Sequence, residues 1–392
     1  MRILVLDANV TYLSPTRNNM PIFLSLLGDI VFFGPGYVSR EALKSGLDLF
    51  IERHKSFDVV ICTEWFSTSL VKNDLEYKKS LKFIKKSFYF DFDLEDLILF
   101  WNQTDAFLKI EAYKVLMMIN YDYQILPESR AQDIVKQFDM ICGLNKQLWK
   151  PTNELKDLYL EGFNVNDNWS SLISSHPQKI FPLVNFVATS EFYFGVYDKK
   201  SVNWSVLGAR YYDRILARDG LLKSNIKVQT GWGLLVLVVK VLSKFGFKPY
   251  TRSFILSLLN YRFFRIMRRS KFNFTCGSKL KLPIRKYFEI PASGSLLVCS
   301  PCNGFNELGF VDGVNCIISN PEDLTELNQK LMKSPEKTKT MARLGQKMVL
   351  TNHTIEVRAS QTRNAINLGI KGKFYGAKWS KGSIIFNSAP IE

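Results

Sequence analysis

Between Asp219 and Glu289 the chain carries fifteen lysines and arginines and not one acidic residue. That stretch supplies nearly all of the net charge of +16, so its natural counterpart is an anion: a membrane surface, a nucleotide diphosphate or a nucleic acid. Its C-terminal end holds residues whose spacing suits anion chemistry. Pro283 is placed to start a helix, because a proline there forfeits only an N–H that would lack a partner. Gly277 and Ser278, just before it, can present backbone N–H groups to a phosphate at that helix N-terminus. Lys281 and Arg285 are the best-placed cations, with Lys279 behind them. Arg285 and Glu289 lie one helical turn apart, and the plain alternative for them is a surface ion pair worth ~0.3–0.5 kcal/mol. Pro291 is expected to kink or stop this helix and Gly294 to cap it. Ser295–Cys299 then reads as a buried strand opening into the loop Pro301–Gly309, the kind of place where open α/β sheets bind ligands. There Gly304, lacking a side chain, lets backbone approach a ligand beside Phe305. Glu307 reads either as a ligand contact or as a cap of the next turn.

Proton-transfer candidates lie in the first half. Asp91 and Glu64 are the leading general bases, with Asp93 and Asp7 behind them, and each also reads as a helix cap or loop residue. Arg17 and Asn18, after the first strand, can touch a phosphate or an acceptor. His353 reads as a cap of the last helix. Cys299 and Cys302 form a C-x-x-C, but no second close pair accompanies it, so no metal site is expected. The six cysteines fit a reducing compartment, where most of them serve as small hydrophobes.

A chain of 392 residues with 46% hydrophobic content is long enough for two cored domains. Apolar runs at Ile3–Leu6, Asp29–Phe33, Phe57–Cys62, Ser87–Phe90, Tyr123–Leu126 and Met140–Cys142 alternate with helical stretches. That rhythm means βαβ units and mainly parallel sheets. It breaks in the polar stretch Asn145–Lys179, which sets the expected junction: an N-terminal Rossmann-like domain over 1–175, a C-terminal one over 176–370, and a loosely packed tail over 371–392. The second unit is expected to open with a strand at Phe181–Ala188, then a helix carrying Arg210, Arg214 and Arg218, then the strand Ile226–Gln229. A basic insertion over 233–269 ends in a helix with Arg262, Arg265 and Arg269 on one face and aromatics elsewhere. Such a helix lies either in the headgroup region of an anionic membrane or against a core with its basic face in water. No run reaches the ~20 apolar residues of a membrane-spanning helix, and MRILVLDA has a strand pattern without a signal-peptide layout.

The order R-x-x-x-E-x-x-A-x-G (Arg285 to Gly294), apolar strand, G-F-x-E (Gly304 to Glu307), D-G-x-N (Asp312 to Asn315), strand and P-E-D-L (Pro321 to Leu324) resembles the C-terminal signature of GT-B glycosyltransferases. The nearest likeness is to the group-1 and spore-maturation-like branches. It covers about Lys279 to Ile370; the N-terminal half resembles the family in layout alone. The resemblance implies two Rossmann-like domains facing across a cleft, with the last helix, about Thr354–Leu368, crossing back onto the first. It also implies sugar transfer from a nucleotide-sugar donor to a glycan or lipid-linked acceptor in cell-surface polysaccharide synthesis. Glu289 would bind the donor's ribose hydroxyls, and basic side chains with a helix N-terminus would neutralise the diphosphate without a metal or other cofactor. The expected location is cytoplasmic, peripheral at the inner membrane face.

Two other classes were weighed. A Rossmann dehydrogenase needs G-x-G-x-x-G after its first strand, and Asp7–Arg17 contains no glycine. A nucleic-acid-binding protein would use the basic segment 220–288, yet no RRM, KH, helix-turn-helix or zinc-finger signature is present, so no nucleic acid is expected as partner. A catalytically inert scaffold of the same fold stays open at this point.

Overall fold

The protein is described from a computed structural model covering residues 1–54, 56–67, 70, 91–118, 135–150, 168–209, 211–231, 237–239, 241–242, 245, 247, 253–277 and 280–389. Its first half builds β1 (Arg2–Leu6), α1 (Pro15–Ser25), β2 (Asp29–Phe33), α2 (Arg40–Ser45), α3 (Leu47–His54), β3 (Val59–Thr63), α4 (Glu64–Ser67), α5 (Leu94–Trp101), α6 (Thr104–Lys109), β4 (Tyr113–Met117), β5 (Met140–Gly143), α7 (Asn168–Ser175) and β6 (Ile180–Pro182). The strands form one sheet in the order β2-β1-β3-β4-β5-β6, all parallel. Apolar residues run unbroken through β1 and β3 because both faces of the sheet are covered. Ser14 and Ser39 cap α1 and α2 by accepting the Arg17 and Ala42 N–H groups. Gly34 ends β2 where a Cβ would fall 1.9 Å from the Asp7 carbonyl oxygen, with φ at +152°, so no other residue fits between β1 and β2 there.

The second half builds β7 (Val202–Val206), α8 (Tyr212–Lys223), β8 (Val228–Thr230), α9 (Ser253–Arg269), β9 (Ser270–Thr275), α10 (Lys286–Ala292), β10 (Leu296–Cys299), β11 (Ile317–Ile318), α11 (Leu324–Lys333) and α12 (Pro335–Asn352). Its sheet has the order β11-β10-β9-β7-β8 and is also parallel throughout. In each sheet the first strand sits inside the order, β1 between β2 and β3 and β7 between β8 and β9. Each sheet therefore has a switch point, where consecutive connections leave in opposite directions and a crevice opens beyond the strand C-termini.

Several expectations are corrected. The strand expected to open the second unit is Ile180–Pro182, and it pairs with Ile141–Gly143 of the first sheet, past the junction expected at residue 175. The second sheet starts instead with β7. Neither β7 nor β9 was anticipated, because buried polar residues interrupt their apolar patterns: Ser205 donates to Asn273 across the two strands. The strand β4 was missed for a similar reason, with Lys114 inside it. The strands expected at Ser87–Phe90 and Tyr123–Leu126, and Arg210 and Lys279, lie outside the described residues. Helix α10 starts at Lys286, after Pro283, and runs through Pro291 to Ala292; Gly294 ends it at φ +69°, as expected of a C-cap glycine.

The last helix, α13 (Ile355–Ile370), buries Ile355, Ala359, Ala365 and Ile366 in one cluster with Ile3, Val5, Val59 and Ile61 of the first sheet, so it does cross back. Thr354 caps it. His353 does not: it is fully buried, bonds the Leu308 carbonyl oxygen at 2.8 Å and touches Arg358. Burial first, and then the Arg358 charge, push its pKa well below the usual range. Nor is the tail loosely packed. It folds into the hairpin β12 (Ala377–Ser380) and β13 (Ser383–Phe386), and Trp379 is 1% exposed. Among the described residues no helix is long and apolar enough to cross a membrane.

Candidate functional site

At the second sheet's switch point, the ends of β7 and β9 meet. Arg214, on the first turn of α8, donates to the Thr275 hydroxyl at 3.0 Å and the Cys276 carbonyl oxygen at 3.1 Å at the end of β9. It also donates to the Ala209 carbonyl oxygen at 3.1 Å after β7. Gly208, at φ +103°, lets the Lys286 and Arg214 side chains close on the backbone: a Cβ there would lie 2.4 Å from Lys286 Cε and 3.0 Å from Arg214 Nη1. Two cations thus flank a glycine beyond the strand ends, beside the N-terminus of α8.

Helix α10 carries the rest. Arg285 Nε donates to Glu289 Oε1 at 2.6 Å, and Lys286 Nζ lies 3.8 Å from Glu289 Oε2. The Arg285 guanidinium also donates to both carboxylate oxygens of Glu191 at 2.5 Å and to the Phe186 carbonyl oxygen at 3.0 Å. The pair is not the surface contact of the plain alternative but part of a buried network, with the Arg285 and Glu289 side chains 8% and 3% exposed. Burial alone would raise the Glu289 pKa, but Arg285 and Lys286 outweigh it and hold the carboxyl below its usual range. Burial pushes the Lys286 ammonium down to about 8, with Glu289 opposing and Arg214 and Arg285 assisting.

The other donor-side candidates fall in two groups. Gly277 serves the turn that follows it: a Cβ there would lie 2.5 Å from the Leu282 carbonyl oxygen, and the Leu282 N–H bonds back to Gly277. Lys281 is exposed at φ +51°, its carbonyl accepting from the Asn303 N–H. Ser278 lies outside the described residues. Gly304, at φ +70°, gives room to the first half, since a Cβ would fall 2.5 Å from Leu148 Cδ2. Phe305 is core, stacked on Phe310 at 4.9 Å. Glu307 is half-buried and its carbonyl accepts from the Gly382 N–H of the tail hairpin.

A second polar cluster occupies the first sheet's switch point. Thr63, ending β3, donates to Asp7, which follows β1, at 2.5 Å. Arg17 of α1 forms an ion pair with Glu64 and lies over the Trp65 ring at 5.7 Å. All four side chains are buried. Burial raises the Asp7 pKa to about 6, with the Arg17 charge and the Thr63 bond opposing. Asp91 and Asp93 are not in this cluster. Asp91 is exposed, its N–H donating to the Tyr12 hydroxyl, and Asp93 joins Glu95 and Asp96 around Arg40 at the surface. Asn18 is exposed on α1.

Glu191 ties the Arg285 network to α1. It accepts from Arg285 on one side and lies 3.5 Å from Asn19 Nδ2 of α1 on the other. Sequence reasoning missed Gly208, Arg214, Lys286 and Glu191 as site residues. Gly208 and Arg214 follow a strand that was not recognised, and Lys286 lies three residues before Glu289. Glu191 is 94 residues from Arg285 and carries no local signal.

The Asp7 carboxyl allows a test. Its folded pKa lies above the unfolded value of 3.8, so the folded state holds the proton more tightly. Stability then falls as pH rises from about 4 to 6, by ~3 kcal/mol in total, and stays lowered above that. Asp7→Asn removes this dependence. Urea unfolding of both proteins between pH 4 and 7 should show the mutant gaining relative stability up to about pH 6 and no further. A difference that is flat with pH would show that Asp7 does not titrate there.

Among the described residues, no three His, Cys, Asp or Glu side chains converge as a metal-binding group. Cys299 and Cys302 are both buried, and burial pushes their thiols up.

No curated protein matches the sequence. Three solved structures, each at TM-score 0.50, cover 94% of this chain. They are sucrose-phosphate synthase from Thermosynechococcus elongatus, 11% identical over 99% of that chain; Anabaena HepE in complex with UDP, 12% identical over 100%; and a glycosyltransferase from Rickettsia africae, 11% identical over 98%. At such identities the likeness concerns the fold. Residues 239–364, which hold α9, β9, α10 and β10, match the glycosyl transferase-like family. The two parallel sheets are thus those of the GT-B glycosyltransferase fold, and residues 239–364 resemble that family in sequence as well.

Proposed function

We propose that this protein is a glycosyltransferase that moves a sugar from a nucleotide-sugar donor, a UDP- or GDP-sugar, onto a glycan or lipid-linked acceptor in cell-surface polysaccharide synthesis. The observation that carries this reading is the gathering of Gly208, Arg214, Lys286, Arg285 and Glu289 at the second sheet's switch point. A buried anionic carboxylate next to two cations that close on a glycine has the polarity of a nucleoside diphosphate reversed: Glu289 for ribose hydroxyls, Arg214 and Lys286 for phosphate oxygens. In the transfer, an acceptor oxygen bonds to the anomeric carbon and the bond from that carbon to the diphosphate breaks. The electron pair leaves with the nucleoside diphosphate, where Lys286 and Arg214 would stabilise it without a metal. The acceptor proton would go to the first-sheet cluster, in which Asp7 has the pKa suited to a base near neutral pH. A UDP complex of Anabaena HepE, a protein of the same fold, agrees with the nucleotide assignment.

The exposed apolar side chains of α9, Phe254, Leu258 and Tyr261, with Arg262, Arg265 and Arg269 among them, support a peripheral position at the inner face of the cytoplasmic membrane. The test is release of nucleoside diphosphate from a panel of UDP-, GDP- and dTDP-sugars when a membrane lipid extract is added. No release from any pair would contradict transfer. A pH effect follows from Lys286. Phosphate binding favours its charged form, so UDP affinity should hold steady below pH 7 and fall as pH rises through about 8. A calorimetric series flat from pH 6.5 to 9 would exclude Lys286 from the phosphate site.

A further inference from the structure

A cavity of about 680 Å³ lies between α1 and α9, roofed by Tyr193. Its volume is that of a ligand site, and it is distinct from the cluster around Gly208. One stripe of α9, at helical spacing from Ser257 to Arg268, faces it, while Met267 on another face is fully buried in the core with Phe263 and Ile266 against it. Three arginines line the cavity, Arg265, Arg268 and Arg269, and among the described residues no carboxylate does. Arg265 and Arg269 are exposed. Arg269 donates to the Ser201 hydroxyl at 3.0 Å, and neither forms an ion pair among the described residues. Arg268 lies over the Tyr193 ring at 5.6 Å and donates to the Glu191 backbone carbonyl at 3.3 Å.

Three guanidinium groups on a single turn and a half of helix repel one another unless an anion sits between them. Their planar donor forks match phosphate oxygens. The surrounding surface is apolar: Phe194 is 69% exposed, Phe254 77% and Tyr261 62%. A water-soluble anion would leave these rings in water, whereas a lipid would cover them. The cavity also lies beside α1 and the Arg285 network. Asn18 on its wall follows Arg17, and Glu191, which receives Arg268, holds Arg285 by its carboxylate.

We infer that this cavity is the acceptor site, and that the acceptor is a lipid whose phosphate or diphosphate headgroup is held by Arg265, Arg268 and Arg269 while its chain leaves over Phe254 and Phe194. The acceptor role rests on the transfer reading above; the phosphate-lipid site stands on the cavity itself. The experiment measures binding of the full chain to phosphatidylcholine vesicles containing either phosphatidic acid or phosphatidylserine, matched in surface potential. Wild type and the double variant Arg265→Ala/Arg269→Ala are compared, with UDP affinity measured on both. The expected result is at least tenfold tighter binding to phosphatidic acid vesicles, lost in the variant, with UDP affinity unchanged. Equal binding to both vesicle types would overturn the site in favour of diffuse surface charge. So would a variant that binds phosphatidic acid vesicles as wild type does. Binding of soluble glycerol phosphate as tight as that of the vesicles would overturn the lipid assignment. Failure of UDP to bind alongside selective phosphatidic acid binding would remove the donor reading and leave the phosphate-lipid site standing.

Discussion

Trp379→Ala is expected to lower unfolding stability by ~3–5 kcal/mol, the range for emptying a large core site. The indole is 1% exposed, with the Arg358 guanidinium 4.2 Å from its ring and the His353 ring 5.8 Å away. Its Nε1 donates to the Pro182 carbonyl oxygen at 2.8 Å. Its backbone exchanges two bonds with the Gln147 side chain, at 2.7 and 3.0 Å. One residue of the tail thus joins the end of β6, the start of α13 and the loop after β5. Removing it would leave two buried nitrogen-bearing side chains facing a void. Trp379→Phe, which keeps most of the volume and loses the hydrogen bond, should cost less than half as much. Denaturant unfolding of both variants checks this. A loss below about 1 kcal/mol for Trp379→Ala would mean that the tail hairpin adds little to the core.

Glu289 needs a subtler substitution than alanine. Glu289→Ala takes a charge out of a buried network in which Arg285 would keep Glu191 and Lys286 would lose its carboxylate. Breaking a buried pair in this way typically costs ~3–5 kcal/mol, so weak ligand binding by that variant would have two explanations. Glu289→Gln keeps the shape and the Arg285 hydrogen bond while removing the negative charge. It should lower UDP affinity by ~10–100-fold, the worth of a charge-assisted hydrogen bond, with a much smaller stability loss than alanine. Calorimetric titration together with thermal melting separates the two effects. Equal loss of stability in both variants, with UDP affinity unaltered in Glu289→Gln, would make Glu289 a purely structural residue.

Much of the fold is legible along the chain, for identifiable reasons. The strands at Ile3–Leu6 and Val59–Cys62 announce themselves because sheets covered on both faces need unbroken apolar runs. The left-handed Gly294 is a local feature, and local chemistry locates it. What stayed hidden depends on distant partners. Ser205 and Asn273 sit in adjacent strands and satisfy each other, so neither strand looks apolar enough when read alone. The tail looks polar because only Ala377 and Trp379 of β12 face inward. In the site, Arg285 and Glu289 are visible from their spacing, yet their burial depends on Glu191 and Phe186, which come from the segment between β6 and β7. Gly304 reads along the chain as a place where a ligand approaches the backbone, and what packs against it is Leu148.

The central claim is that the cluster at the end of β7 and β9 binds a nucleoside diphosphate. The most direct measurement is a calorimetric titration of wild type and Glu289→Gln with UDP, GDP, CMP and dTDP, with and without magnesium. Saturable binding of UDP or GDP by wild type is expected, insensitive to magnesium and at least tenfold weaker in Glu289→Gln. Absence of heat with all four nucleotides, from a protein that melts cooperatively, would contradict it.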